Sequence, residues 1–128
     1  MRFLIVDDTA RARQSMKALL EVWHPHEEVR EVANGIEAVE LAEEFQPDFI
    51  LMDARMPGMS GLEATRMIKA KWPQMTIIIL SVFLDYQPLA QEAGADGFLS
   101  KSDPPETLRK MLEEILQKGT TGETKSGG

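Results

Sequence analysis

Short apolar runs alternate with amphipathic stretches along most of the chain. Five runs have the length of strands, and most are apolar at nearly every position, as strands buried on both faces of a sheet are. They are Phe3–Val6, Val29–Ala33, Phe49–Met52, Thr76–Leu80 and Gly97–Leu99, of which the second is the weakest. Between them, apolar residues recur every three or four positions, the spacing of one helix face. The pattern predicts five strands, each followed by a helix.

The predicted fold class is α/β, because strands that alternate with amphipathic helices form a parallel sheet with helices on both faces. We therefore predict a doubly wound, five-stranded parallel sheet of the (βα)5 type. Pro57 and Gly58 predict a type II turn after the third strand. Several helices are preceded by side chains that can accept hydrogen bonds from the first turn. The predicted caps are Asn34, Ser60, Asp85 and Asp103, with Pro104 as the first residue of the last helix.

The composition is that of one folded domain. The sequence has 128 residues, of which 43% are hydrophobic and 27% charged, close to the average of globular proteins. From residue 119 onwards the composition changes to glycine and polar residues without an apolar side chain. We therefore predict a domain over residues 1–118, and a flexible tail, a linker or an expression remnant over residues 119–128.

Charge and cysteine content exclude several kinds of site and partner. The sequence contains no cysteine, which excludes disulfides, thiolate zinc sites and cysteine nucleophiles and fits a reducing cytoplasm. The net charge is −7, so the surface repels phosphate backbones and direct binding of nucleic acid is not expected. No apolar stretch approaches the roughly 18 residues of a membrane helix, so we expect no membrane partner.

Candidate functional residues lie where the predicted strands end. Asp7 and Asp8 follow the first strand, Asp53 follows the third, Ser81 follows the fourth, and Lys101 lies just beyond the fifth. Ligands of open parallel sheets bind outside the carboxyl ends of the strands. If strands one and three are neighbours, three carboxylates share one cleft.

Such a group of carboxylates predicts a cation and a phosphoryl site. Carboxylates in close proximity repel each other unless a cation neutralises them, and Mg²⁺ binds a few carboxylates together with water and phosphate oxygens. A lysine ammonium and a serine hydroxyl can both bind phosphoryl oxygens. The set describes a site that holds a phosphoryl group on a carboxylate, with Asp53 as the nucleophile.

The residues that carry this chemistry resemble those of a known family, the receiver domains of two-component response regulators. The resemblance covers about residues 1–118 and rests on FLIVDD, ILMDARMPGMSGLE, ILS and GADGFLSK, in that order along the chain. It implies a flavodoxin-like fold with strand order 2-1-3-4-5. The ending GADGFLSKS…PPETL, with Val82 after the serine, resembles receivers attached to helix-turn-helix transcription factors.

The resemblance implies roles for the acidic residues. Asp53 matches the phosphoacceptor, and Asp8 matches the direct ligand of Mg²⁺. Asp7 matches the acidic neighbour that binds the metal through water. Arg55 matches the position whose backbone carbonyl completes the metal's coordination.

The resemblance also implies a switch and its partners. Lys101 matches the phosphate-binding lysine, Ser81 the switch hydroxyl and Phe98 the switch aromatic. The phosphodonor would be the phosphohistidine of a sensor histidine kinase. Phosphorylation would change the surface of the fourth helix, fifth strand and fifth helix, which is also a candidate homodimer interface. The chain would then be a cytoplasmic regulator, not an enzyme, that assists its own phosphorylation and dephosphorylation.

Two other interpretations remain. One is a phosphatase with an aspartyl nucleophile of the haloacid dehalogenase type, whose nucleophile normally follows the first strand with a second aspartate two positions later. Here Arg55 stands two positions after Asp53, and the acids after the first strand are adjacent. The other is a pseudo-receiver that binds partners without phosphorylation, against which the full set of site residues argues.

Overall fold

The computed structural model describes residues 1–127, with side chains to Lys118. Five parallel strands form one sheet in the order β2-β1-β3-β4-β5, which confirms the predicted fold class and strand order. The strands are β1 (Arg2–Val6), β2 (Glu28–Val32), β3 (Phe49–Asp53), β4 (Thr76–Ser81) and β5 (Gly97–Ser100). Their starts and ends differ from the predicted runs by at most one residue.

Five helices cover the two faces of the sheet. They are α1 (Ala10–Trp23), α2 (Gly35–Phe45), α3 (Gly61–Lys71), α4 (Gln87–Glu92) and α5 (Pro105–Gly127). A 3₁₀ turn (Leu84–Tyr86) precedes α4. Side chains from residue 119 onwards lie outside the described part, so the predicted tail over residues 119–128 stays a prediction. Across the described residues, no helix combines the length and apolar character needed to cross a membrane.

Alternate side chains of each strand enter two separate cores. Leu4 and Val6 of β1 pack on the face covered by α2, α3 and α4, while Phe3 and Ile5 pack on the face covered by α1 and α5. All four side chains are almost completely inaccessible to solvent. The central strands are buried on both faces, which is why their sequences are apolar without alternation.

Two of the four predicted helix caps are confirmed. The Asn34 side chain accepts a hydrogen bond of 2.9 Å from the Glu37 backbone N–H. In the same way, Ser60 Oγ accepts one of 3.2 Å from the Glu63 N–H. Gly58 has a φ of +78°, as the third position of the predicted type II turn requires.

The predicted caps of α4 and α5 were wrong. Asp85 lies within the 3₁₀ turn, and α4 begins two residues later without a side-chain cap. A helix capped by Asp85 would place Pro88 at its third position, where the N–H needed by the cap is missing. The last helix begins at Pro105, not Pro104. Asp103 instead accepts a hydrogen bond from the Ser100 N–H, which closes the turn after β5.

Candidate functional site

The carboxyl ends of β1 and β3 bring the predicted acidic residues together. Val6 of β1 pairs with Met52 of β3, so Asp7 and Asp53 leave adjacent strands at the same level of the sheet. One oxygen from each of Asp7, Asp8 and Asp53 lies within 4.8 Å of the other two. The predicted cleft with three carboxylates is therefore present.

The acids of this cleft differ in how firmly they are held. Asp7 is buried, and its two oxygens accept hydrogen bonds of 2.9 Å from the Thr9 N–H and 2.8 Å from the Lys101 ammonium. Asp8 is exposed, and among the described residues no donor contacts its carboxylate within hydrogen-bond distance. Asp8 is thus the carboxylate most available to an added cation.

Lys101 links the two buried carboxylates. Its Nζ lies 3.3 Å from Asp53 Oδ1 as well as 2.8 Å from Asp7 Oδ2. Burial opposes the charge of this lysine, but the hydrogen bond with Asp7 and the charge of Asp53 outweigh it, so the pKa of Lys101 is raised. The pKa of Asp53 is also raised, and burial of its carboxylate is the largest cause. The nearby charge of Asp7 raises this pKa further, whereas the charge of Lys101 lowers it.

Ser81 and Arg55 line a small cavity over Asp53. The cavity has a volume of about 250 Å³ and is lined by Asp53, Arg55, Ser81, Val82, Phe83 and Lys101. Ser81 is the last residue of β4 and is buried, and its Oγ accepts a hydrogen bond of 3.0 Å from the Phe83 N–H. Within the described residues its hydroxyl donates to no acceptor, so its proton is available to an oxygen in the cavity.

Phe98 lies away from the acids. It is a half-buried residue of β5 that packs against the core beneath α2, α3 and α4. The structure therefore places it beside α4 and not in the cavity, and its role as a switch aromatic stays a prediction.

The sequence analysis did not identify two features that shape this site. The first is Gly61, where an added Cβ would lie 1.9 Å from the Asp53 carbonyl oxygen. The Gly61 N–H also donates a hydrogen bond of 3.0 Å to the Ala54 carbonyl, so the start of α3 is fastened to the end of β3. A glycine at the first position of a capped helix was the only available signal.

The second feature is the contact between Arg55 and Phe83 beside the cavity. The Arg55 guanidinium lies 5.3 Å from the centre of the Phe83 ring. The Phe83 ring in turn meets the Tyr86 ring edge to face, with centroids 6.0 Å apart. Nothing in the local pattern indicates that the turn after β3 and the segment after β4 would meet in this way.

The donor set fits a hard divalent cation. Three carboxylates and one lysine ammonium leave an excess of negative charge in the cleft, and carboxylate oxygens are the ligands that Mg²⁺ prefers. A cleft of about 610 Å³ opens beside Asp8, which leaves room for the water molecules that Mg²⁺ retains. Asp7, Asp8 and Asp53 are the side chains that could hold it.

Comparisons with known proteins agree with this geometry. The model of the response regulator receiver domain family matches residues 3–113. The transcriptional regulatory protein YdfI of Bacillus subtilis is 43% identical over 117 residues, which cover 91% of this chain and 55% of that protein. The chain thus spans about half the length of the curated relatives it matches.

Solved structures give the same result. A two-component response regulator of the LuxR family from Aurantimonas has a TM-score of 0.84 and 35% identity, with 91% of this chain and 85% of that chain covered. The receiver domain of a sensor histidine kinase from Pseudomonas aeruginosa, which has a magnesium ion in its active-site cleft, has a TM-score of 0.78 and 31% identity over 88% of this chain and 94% of that one. The predicted resemblance is confirmed, and the phosphatase interpretation is disfavoured. This chain belongs to the family of response regulator receiver domains.

Proposed function

We propose that this chain is a phosphorylation-dependent switch that accepts a phosphoryl group on Asp53 from the phosphohistidine of a sensor histidine kinase. The observation that carries the proposal is the position of Lys101, whose ammonium lies within 3.3 Å of Asp53 and 2.8 Å of Asp7 in a cleft of three carboxylates. A lysine in this position can bind oxygens of a phosphoryl group attached to Asp53.

In the transfer step, an Asp53 carboxylate oxygen attacks phosphorus. The new O–P bond forms as the P–N bond to the donor imidazole breaks, and the imidazole nitrogen keeps the electron pair. Lys101 neutralises charge on the phosphoryl oxygens, and the Ser81 hydroxyl donates to one of them. Ser81 and Lys101 therefore assist phosphorylation. They assist dephosphorylation in the same way, when water attacks the phosphorus and the Asp53 oxygen is the leaving group.

Mg²⁺ is the proposed cofactor. When bound, it would supply positive charge that stabilises the negative charge of the carboxylates and of the transferred phosphoryl group. Asp8 and Asp53 would bind it directly, Asp7 through water, and the backbone carbonyl of Arg55 would complete the protein's contribution. One lysine charge against three carboxylates leaves two negative charges, which is the charge a divalent cation balances.

The proposed output is the surface formed by α4, β5 and α5. A phosphoryl oxygen would draw the Ser81 hydroxyl inwards, and Phe98 would move into the space that this leaves. The same surface is the proposed homodimer interface. Transcriptional control, which the name of the Bacillus subtilis relative states, remains a proposal for a longer protein, because the net charge of −7 disfavours direct binding of DNA by this chain.

Intact-mass spectrometry tests the phosphoacceptor. With acetyl phosphate and Mg²⁺ we expect one phosphoryl adduct on the parent chain, and none when Mg²⁺ is removed with a chelator. Asp53→Asn should form no adduct, whereas Asp85→Asn, which removes an exposed acid outside the cleft, should behave like the parent. An adduct of equal yield on Asp53→Asn would reject the assignment, and no adduct on the parent would favour the pseudo-receiver interpretation.

Amide hydrogen exchange tests the output surface. On phosphorylation we expect changes in the protection of backbone amides between Ser81 and Leu116. We expect little change in α2, which lies towards the opposite edge of the sheet. Unchanged exchange from Ser81 to Leu116 in a fully phosphorylated sample would reject the proposed output surface.

A further inference from the structure

Arg55 differs from Lys101 in how its charge is balanced. Lys101 already contacts two carboxylates, Asp7 and Asp53. Within residues 1–118, no carboxylate lies within ion-pair distance of the Arg55 guanidinium, whose carbon lies 5.3 Å from the centre of the Phe83 ring. Yet Arg55 lines the same cavity of about 250 Å³ as Asp53 and Ser81. The cavity therefore has one cation that is neutralised and one that is not.

The ring that holds Arg55 is connected to the start of α4. Phe83 is 45% exposed and contacts the Tyr86 ring edge to face at 90°. Tyr86 ends the 3₁₀ turn and packs against the core beneath α2, α3 and α4. A contact chain thus runs from the cavity over Asp53, through Arg55 and Phe83, to Tyr86 at the start of α4.

We propose that Arg55 is a second phosphoryl-binding cation, which the Phe83 ring holds beside the cavity until Asp53 is phosphorylated. This inference rests on the proposed phosphorylation of Asp53. An aspartyl phosphate adds a doubly charged group with three acceptor oxygens to a cavity that Arg55 already lines. The planar guanidinium can donate two parallel hydrogen bonds to such oxygens. These bonds are stronger than a cation–π contact at an exposed ring, so the guanidinium leaves Phe83 for the phosphoryl group.

The transfer of Arg55 has a consequence for the turn before α4. Once the guanidinium leaves, Phe83 loses the partner on its face, and its edge contact with Tyr86 no longer has a fixed position. The Tyr86 ring therefore changes its environment on phosphorylation. This route to α4 is separate from the predicted inward movement of Ser81, since it depends on the charge of Arg55.

A fluorine label on Tyr86 tests the inference directly. Tyr86 is the only tyrosine in the sequence, so replacement of tyrosine by 3-fluorotyrosine gives a single ¹⁹F resonance. We expect this resonance to shift when acetyl phosphate and Mg²⁺ are added to the parent chain. In Arg55→Gln we expect the shift to be lost, and the resonance of the unphosphorylated variant to differ already from that of the parent. Arg66→Gln, which removes an exposed arginine of α3, is the matched control and should shift like the parent.

Intact mass measured on the same samples separates the two proposals. An adduct on the parent without movement of the resonance would overturn the role of Arg55 and leave the phosphoacceptor assignment intact. The role would equally be overturned if Arg55→Gln formed the adduct and its resonance moved as far as in the parent. Loss of the adduct in Arg55→Gln alone, with an unchanged unfolding midpoint, would support a phosphoryl-binding role. No adduct on the parent would overturn both proposals.

Discussion

At the ends of β1 and β3, Asp7 and Asp53 are buried and contacted by Lys101, whereas after β4 large apolar side chains face solvent. Asp7 and Asp53 are 6% and 8% exposed, and Lys101 contacts both. By contrast, Val82 is 59% and Leu84 64% exposed. The two regions meet at the cavity over Asp53.

The difference between these regions indicates that one keeps its shape and the other opens more easily. The acidic edge, formed by Asp7, Asp53 and Lys101, has a fixed shape, because Asp7 and Lys101 are hydrogen bonded and the start of α3 is packed onto Asp53. The segment over residues 82–89 has a short 3₁₀ turn and an uncapped helix start, and few buried apolar contacts hold it. Segments of this kind open at low free-energy cost. We therefore expect the acidic edge to keep its shape on phosphorylation and the segment over residues 82–89 to move.

The largest expected effect concerns the packing of α3 on the acidic edge. Gly61→Ala places a methyl group 1.9 Å from a backbone oxygen, so the end of β3 or the start of α3 must shift. We expect the free energy of unfolding to fall by about 2–4 kcal/mol, measured by urea denaturation.

Gly58→Ala is the matched control for this change. Its added methyl group meets no atom within 4 Å, so only the positive φ of +78° opposes it, at a cost of about 1 kcal/mol. Equal losses of stability in the two variants would mean that the close approach of α3 to Asp53 does not hold the edge.

Lys101→Met should have the next largest effect, on phosphorylation itself. Loss of the cation that contacts Asp7 and Asp53 should slow adduct formation about 100-fold, the usual effect of removing one charge-stabilising donor from a reaction site. The rate of adduct formation from acetyl phosphate, followed by intact mass, measures it. Lys110→Met, at an exposed position of α5, should react like the parent.

Asp8→Ala should weaken Mg²⁺ binding by about 10-fold or more, because it removes the most accessible carboxylate of the cleft. The stability without metal should change by less than about 0.5 kcal/mol, since Asp8 is exposed. Calorimetric titration with Mg²⁺ measures the affinity, with Asp85→Ala as the control. Equal affinity in Asp8→Ala and the parent would exclude Asp8 as a metal ligand.

The smallest effect is expected where the exposed segment meets the cavity. Neither Arg55 nor Phe83 can act as a base near neutral pH, so we expect slow loss of the phosphoryl group. The double variant Phe83→Glu with Arg55→Asn introduces an acid and an amide that can orient water, and should speed the decay by about 10-fold, below the usual contribution of a positioned base. Decay of the adduct after removal of the donor gives the rate. An unchanged or slower decay would show that these side chains do not control access of water.

The elements of the fold could be predicted because their signals are local. An apolar run such as Phe49–Met52 and a capping pair such as Ser60 and Glu63 are complete within a few residues. The wrong caps at Asp85 and Asp103 show the limit of this approach. Both residue types can cap a helix, but Pro88 lacks the N–H that a cap by Asp85 needs, and Asp103 instead accepts a hydrogen bond in the turn after β5.

Two features could be read from the sequence alone: the alternation of strands and helices, and the edge of the sheet at which the candidate site residues lie. These residues are Asp7, Asp8, Asp53, Ser81 and Lys101. Both features follow from hydrophobic period and from the direction of parallel strands. Three contacts depend on tertiary packing and became visible in the folded chain: Lys101 with Asp7 and Asp53, α3 with Asp53, and Arg55 with Phe83. These contacts join segments that are far apart in the chain. Their distances depend on the order of the strands and on how the helices pack on them, and a local sequence pattern specifies neither.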